Sequence, residues 1–197
     1  MEKTKEILKN LDSAIEKIKG KEQKIIFLVP DTKGNAKSSV MHIYSQALAL
    51  KNAGYSVAIL HEKNDFIKVG SWFDPACDEL EHMSIEDNKL VVGPSDFIIV
   101  PEVYGTVFEQ ISKMTIEKVI QVQSYDYMLE AFSPGKSWVD LGVEECITTT
   151  NTLKNMIEDT VPVKDVQFIE PYIGESFSES SKPQKPIIAI HCRDTRK

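Results

Sequence analysis

Residues 24–60 read "KIIFLVPDTKGNAKSSVMHIYSQALALKNAGYSVAIL". "KIIFLVP" is a continuous apolar run rich in β-branched residues, the pattern of a strand buried on both faces. A polar turn follows, Lys33-Gly34-Asn35-Ala36-Lys37-Ser38. Val40, Met41, Tyr44, Ala47 and Leu48 then recur at helical spacing, with Ser38 or Ser39 expected as the N-cap and Gly54 as the stop. "YSVAIL" is a second strand. Strand, helix and strand make a βαβ unit with a right-handed crossover.

Working outward, residues 64–95 are less regular. "GSWFDPACDELEHM" is expected to hold a short helix and a loop, and "LVVG" a strand. "DFIIVPE" (96–102) is a buried strand ended by Pro101, followed by a helix over about 104–113. "KVIQVQ" (118–123), "ECITTT" (145–150) and "VQFIEP" (166–171) are strands. A short helix is expected near Met128–Phe132, and "NTLKNMIEDT" forms another. Strands alternating with helices predict an α/β fold: a doubly wound, mostly parallel Rossmann-like sheet with helices on both faces.

The flanks differ in character. Residues 1–22 read as a leading amphipathic helix, with Ile7, Leu8, Leu11, Ala14, Ile15 and Ile18 on one face and Gly20 as the stop. That face is expected to lie on the domain or on a partner subunit, making a homo-oligomer through this helix one expectation. The main domain is predicted over 23–178. "SESSKPQKP" supplies a linker over 179–186, and residues 187–197 begin a fresh buried strand, "IIAIHCR". A strand with no following helix is expected to be the start of a second domain.

Composition narrows the function classes. The chain has 197 residues, 42% hydrophobic and 27% charged, with a formal net charge of -7. An acidic chain lacks the basic footprint of a nucleic-acid binder. No apolar run approaches the roughly 20 residues of a membrane span, and the first ten residues lack a signal-peptide core. Cys77, Cys146 and Cys192 form no CxxC pair, and His42, His61, His82 and His191 have no metal-ligand spacing. Reduced cytoplasmic thiols and no metal are the expectation.

Lysine followed by serine at a helix mouth raises the question of an ATPase phosphate loop. G-x-x-x-x-G-K-[ST] aligned on Lys37-Ser38 puts Asp31 and Ala36 where glycines must be, so the backbone path around a phosphate is not encoded. "DFIIVPE" and "KVIQVQS" do not end in a magnesium-binding aspartate. The dinucleotide fingerprint G-x-G-x-x-G is missing as well, although Glu62 lies close to the end of the second strand.

Ordering and several loose motifs resemble the N-terminal, acceptor-side half of the GT-B glycosyltransferases. The similarity is greatest to the large retaining family that includes sucrose and mannosyl transferases. Gly34-Asn35 stands where that family has paired glycines. "VMHIYSQALALKNAGYSVAIL" follows its helix-and-strand pattern, with Tyr55 where histidine is common. "DFIIVPEVYG" and "KVIQVQSYDYM" look like its cleft-facing strands, and "ITTTNTLKNMIED" and "FIEPYIGESF" like its later segments. "KPIIAIHCRDTRK" looks like the opening of the donor-binding domain. The resemblance covers residues 24–197.

It implies transfer of a sugar from a nucleotide-sugar donor to a hydroxyl acceptor at an interdomain cleft. No metal cofactor is implied, and no D-x-D motif is present. By the same resemblance Gly34, Asn35, Glu102, Gln123, Ser124 and Tyr125 are acceptor-side candidates, and Arg193 and Lys197 begin a donor-phosphate site. Gln123 stands where many members carry a histidine; an amide hydrogen-bonds a sugar hydroxyl but cannot act as a base. An acid such as Glu102 after a buried strand is otherwise simply solvated, and Trp72 and Trp138 are expected in the core or cleft wall. The alternative from another class is a non-catalytic Rossmann-like module that binds a glycan or a protein.

Overall fold

The computed structural model describes residues 23–87, 92–130 and 135–171. The expected leading helix (1–22), linker (179–186) and second-domain strand (187–197), with Arg193 and Lys197, lie outside the described residues.

β1 (Lys24–Val29) is an interior strand, and Ile26, Phe27, Leu28 and Val29 are each at most 2% exposed. It pairs in parallel with β2 (Ser56–His61) from Lys24↔Ser56 to Val29↔His61, and on its other side with β4 (Phe97–Pro101). β3 (Glu81–Ser84), β5 (Glu117–Val122), β6 (Glu145–Thr148) and β7 (Asp165–Phe168) complete a seven-stranded sheet. Its order is β3-β2-β1-β4-β5-β6-β7, and every pairing is parallel. The chain winds outward in one direction from β1 to β3, then returns to β1 and winds the other way from β4 to β7. This is a Rossmann-like α/β fold.

Because side chains alternate along a strand, β1 feeds two cores. Phe27 and Val29 join Val40, Ile43, Tyr44 and Ala47 of the Ser38–Asn52 helix, with Val57 and Ile59 of β2. Ile26 and Leu28 join Ile98, Val100, Ile120 and Val122 on the opposite face. There Phe108, Met128 and Ile157 arrive from the helices Gly105–Ile111, Tyr125–Glu130 and Asn151–Thr160. Right-handed crossovers from strands wound in opposite directions put helices on opposite faces, as the two cores require. Each fully buried Ile, Leu or Phe contributes roughly 1.5–3 kcal/mol, so these two cores are the main favourable term.

Local details differ from the sequence expectation in five places. Neither Ser38 nor Ser39 caps the first helix; Lys37 occupies the N-cap with no side-chain hydrogen bond, and Ser38 is already helical. The third strand is "EHMS" (Glu81–Ser84), and of "LVVG" the described residues Val92 and Gly93 lie in no strand. A four-residue edge strand with Glu81 exposed carries no apolar run to announce it. The short helix expected in "GSWFDPACDELEHM" is a 3-10 turn, Pro75–Glu79, capped by Asp74 accepting from Ala76 N at 2.9 Å. The helix after β4 begins as another 3-10 turn, Glu102–Tyr104, and the one after β5 starts at Tyr125 rather than near Met128.

Gly54 does end the first helix. Gly54 N donates to Lys51 O (2.9 Å) and Tyr55 N to Leu50 O (3.1 Å), the paired bonds of a Schellman motif. Gly54 sits at φ +91° with nothing within 4 Å of where a Cβ would stand, so backbone strain alone sets the effect of a side chain there. Gly54→Ala should lower unfolding free energy by about 1 kcal/mol in urea denaturation. Gly54→Asn should lose less, and an alanine variant as stable as the parent would contradict the motif.

Candidate functional site

All seven strands run the same way, so the loops after β1, β2, β4, β5 and β6 leave on one edge. In such sheets ligands bind outside the carboxyl ends, at the point where strand order reverses, here between β1 and β4.

Glu102 directly follows β4 and is only 3% exposed. Its Oε1 accepts from Gln123 N (3.1 Å) and Ser124 N (2.9 Å), the first two residues after β5. Burial raises the carboxyl pKa, and the backbone N–H groups of Glu102, Gln123 and Ser124 oppose that rise. Gln123 donates through Nε2 to Ser39 O (3.0 Å) in the first turn of the Ser38–Asn52 helix. Glu102, Gln123 and Ser124 are thus one hydrogen-bonded unit fixed to that helix. The glutamate is not a solvated surface acid. Tyr125, the next residue, opens its helix and is 45% exposed on the same edge.

Gly34 and Asn35 leave the same edge but belong to its other side. Thr32 O accepts from both Asn35 N (3.0 Å) and Asn35 Nδ2 (3.1 Å), and Lys33 N donates to Asp31 Oδ1 (2.8 Å). Lys33 (φ +51°) and Gly34 (φ +77°) take the two left-handed positions of a type I′ turn. A Cβ on Gly34 would stand 3.6 Å from Ile67 Cδ1, so the turn faces the loop after β2. Lys37 is exposed, as a solvated lysine at a helix mouth should be.

Residues that the sequence did not single out complete the edge. Tyr104, two residues past Glu102, donates its hydroxyl to Glu62 Oε1, which follows β2 directly. This bond ties the exits of β2 and β4 across that of β1. His61, the last residue of β2, is 4% exposed and stacks on Phe66 with ring centroids 3.6 Å apart. Its Nε2 lies 2.8 Å from His82 Nδ1, and His82 Nε2 lies 3.1 Å from Cys77 O. A carbonyl only accepts, so His82 carries its proton on Nε2. The bare His82 Nδ1 then accepts from His61 Nε2–H, and His61 Nδ1 is left with a free lone pair. Burial keeps both rings neutral: it lowers the His82 pKa and, aided by the neighbouring His82, pushes His61 down to about 4. Glu62 beside a strand end was the one readable signal; His82 sits on the strand that sequence pattern missed.

Trp138 is buried in the core on one face of the sheet, and Trp72 is half-buried against the separate core on the other face. Among the described residues no group of three or more His, Cys, Asp or Glu side chains could hold a metal ion, and no helix is long and apolar enough to cross a membrane.

Two outcomes follow from this geometry. Glu102→Ala leaves two backbone N–H donors without their acceptor and should cost about 2 kcal/mol of stability, whereas Glu102→Gln keeps an acceptor oxygen and should cost less than about 1 kcal/mol. Equal losses in urea denaturation would mean that the carboxylate does not hold the β5 exit. The histidine pair sets a pH dependence. A ring whose folded pKa is depressed binds fewer protons folded than unfolded, so its contribution is complete above about pH 6.5 and is lost as pH falls toward about 4. Glu102, with a raised pKa, acts with the opposite sign. Melting temperature should therefore fall across this window, and more steeply in Glu102→Gln. A His61 ring that titrates near 6.5 by NMR would refute the assignment.

Comparison with protein-family models, with curated proteins and with solved structures finds no match to this chain.

Proposed function

We propose that this chain is the acceptor-side half of a GT-B glycosyltransferase, binding a hydroxyl-rich acceptor along the carboxyl edge of its sheet. The observation that carries this reading is the chemistry of the edge around the switch point. Asp31, Glu62 and Glu102 follow β1, β2 and β4, and no glycine-rich phosphate cradle accompanies them. Carboxylates repel a nucleotide's phosphates but accept hydrogen bonds from neutral hydroxyl groups. Such an edge suits a sugar or polyol, and leaves the donor diphosphate to be held elsewhere.

The roles follow from the hydrogen bonds. Glu102 is a positioning residue, because its Oε1 is engaged by the Gln123 and Ser124 amides. Gln123 has its Nε2 on Ser39 O, which leaves Oε1 as an acceptor toward the edge. The Ser124 hydroxyl and the exposed Tyr125 ring extend that surface. An acceptor hydroxyl held by fixed groups enters the transfer step with its orientation already set, which is where such a half-site lowers the barrier.

Titration of the 197-residue chain with a panel of oligosaccharides should shift the Gln123 and Ser124 amide resonances. ATP with magnesium should leave the melting curve unchanged; a ligand at 100 times its Kd would add about 2.7 kcal/mol. A melting temperature raised by ATP-magnesium and restored by Lys37→Ala, with no saccharide moving Gln123 or Ser124, would replace this reading with a nucleotide-binding one.

A further inference from the structure

At the carboxyl ends of β1 and β2 the surface dips into a recess lined by Asp31, Thr32, Tyr44, His61, Phe66 and Ile67, among others. Its volume, about 10 Å³, admits one water-sized group. Ile67 is also the residue that Gly34 faces, so the Lys33-Gly34 turn stands beside it.

Two of the lining residues carry a polar atom without a protein partner among the described residues, and one of these atoms, the Tyr44 hydroxyl, is fully enclosed. Tyr44 is fully buried, and its hydroxyl has no hydrogen-bond partner among the described residues. His61 is 4% exposed, and the chain through His82 to Cys77 O leaves its Nδ1 lone pair unused. Enclosed polar groups are normally paired, so the Tyr44 hydroxyl calls for a partner, and the open His61 nitrogen lines the same recess.

The satisfiable chemistry is narrow. A carboxylate only accepts and would meet the His61 lone pair, and a phosphate, even with a P–OH to donate, would bring its charge against that of Asp31. An ammonium only donates; it could reach the His61 nitrogen and the Tyr44 oxygen but would leave the Tyr44 O–H proton without an acceptor. A hydroxyl does both. We propose that the recess is a subsite for a single hydroxyl group of a sugar or polyol, which donates to His61 Nδ1 and accepts from the Tyr44 hydroxyl. The assignment rests on the reading of this edge as the acceptor side and extends it to the β1–β2 half. His82 is then a positioning residue that selects the tautomer in which His61 accepts. Burial raises the Tyr44 pKa and lowers that of His61, which keeps both groups in the forms this exchange requires.

Long-range ¹H–¹⁵N spectra of the imidazole rings in the full 197-residue chain test it. Near neutral pH His61 should show a protonated Nε2 and a bare Nδ1. Glycerol and methyl α-glucoside should each move the Nδ1 signal, and inorganic phosphate should not. Tyr44→Phe, which removes only the hydroxyl and keeps the packed ring, should retain the fold and weaken the polyol response about fivefold. An Nδ1 signal unmoved by both polyols, a recess holding water only, overturns the proposal. So does an equal affinity in Tyr44→Phe. Sugar-dependent shifts at Gln123 and Ser124 with a silent His61 would remove the recess and keep the acceptor edge; shifts at His61 with silent Gln123 and Ser124 would keep the recess and remove the acceptor reading.

Discussion

β1 is the constraint on which the molecule depends. Its backbone is hydrogen-bonded to a parallel strand on each side, and its side chains are buried on both faces. A strand in that position must be largely apolar, because a polar side chain there is desolvated and costs stability unless it finds a partner. It must also carry its neighbours in opposite winding directions, which creates the crevice between the exits of β1 and β4. The start of β1 is pinned by Asp96, whose carboxylate accepts from Lys24 N (3.0 Å) and Gly93 N (2.6 Å). The same carboxylate therefore aligns the beginnings of β1 and β4, and the register set there fixes which residues meet at the carboxyl edge.

At that edge the structure uses buried polar groups to hold loops that have little apolar packing. Glu102 binds the β5 exit, Gln123 the mouth of the first helix, and Tyr104 with Glu62 crosses above β1. Gln121, 1% exposed in β5, donates to Gln46 Oε1 (2.9 Å) and makes a second polar link to the same helix. Desolvation works against each of these groups; two backbone donors offset it at Glu102, and a single side-chain bond does so at Gln123, Gln121 and Tyr104. The result is a rim whose loops are held to one another by side-chain hydrogen bonds. The two halves of the rim differ. The β4–β5 half ties its loops together through Glu102 and Gln123, whereas the β1–β2 half retains a free imidazole lone pair and a free phenol.

Much of this was legible in the chain. "KIIFLVP" and "DFIIVPE" are mostly apolar because buried parallel strands have no wet face, and "KVIQVQ" keeps Val119, Ile120 and Val122 buried beside polar residues, so pattern and order sufficed for the Rossmann-like sheet. Gly54 was readable because only a left-handed residue closes that helix. Glu102, Gln123 and Ser124 were readable as neighbours because strand ends in a parallel sheet share an edge. The β3 strand was not, since an edge position tolerates Glu81 and His82 where a central strand would not. The helix cap was misassigned because a serine next to a helix start has no fixed position until the turn before it is built.

The sequence by itself determined the strand and helix alternation, the lack of a phosphate-wrapping glycine loop and the acidic residues after β1, β2 and β4. These are local properties, carried by periodicity and residue type. Only the tertiary structure decided that Glu102 is buried and bonded across to β5, that Gly34 faces Ile67 rather than Glu102, and that His61 meets His82 with one nitrogen left open. Each of these depends on strand order and register, which bring together residues about 20 or more positions apart in the chain. Local pattern carries no record of such distances, because the hydrogen bonds that define them form only once the sheet has closed.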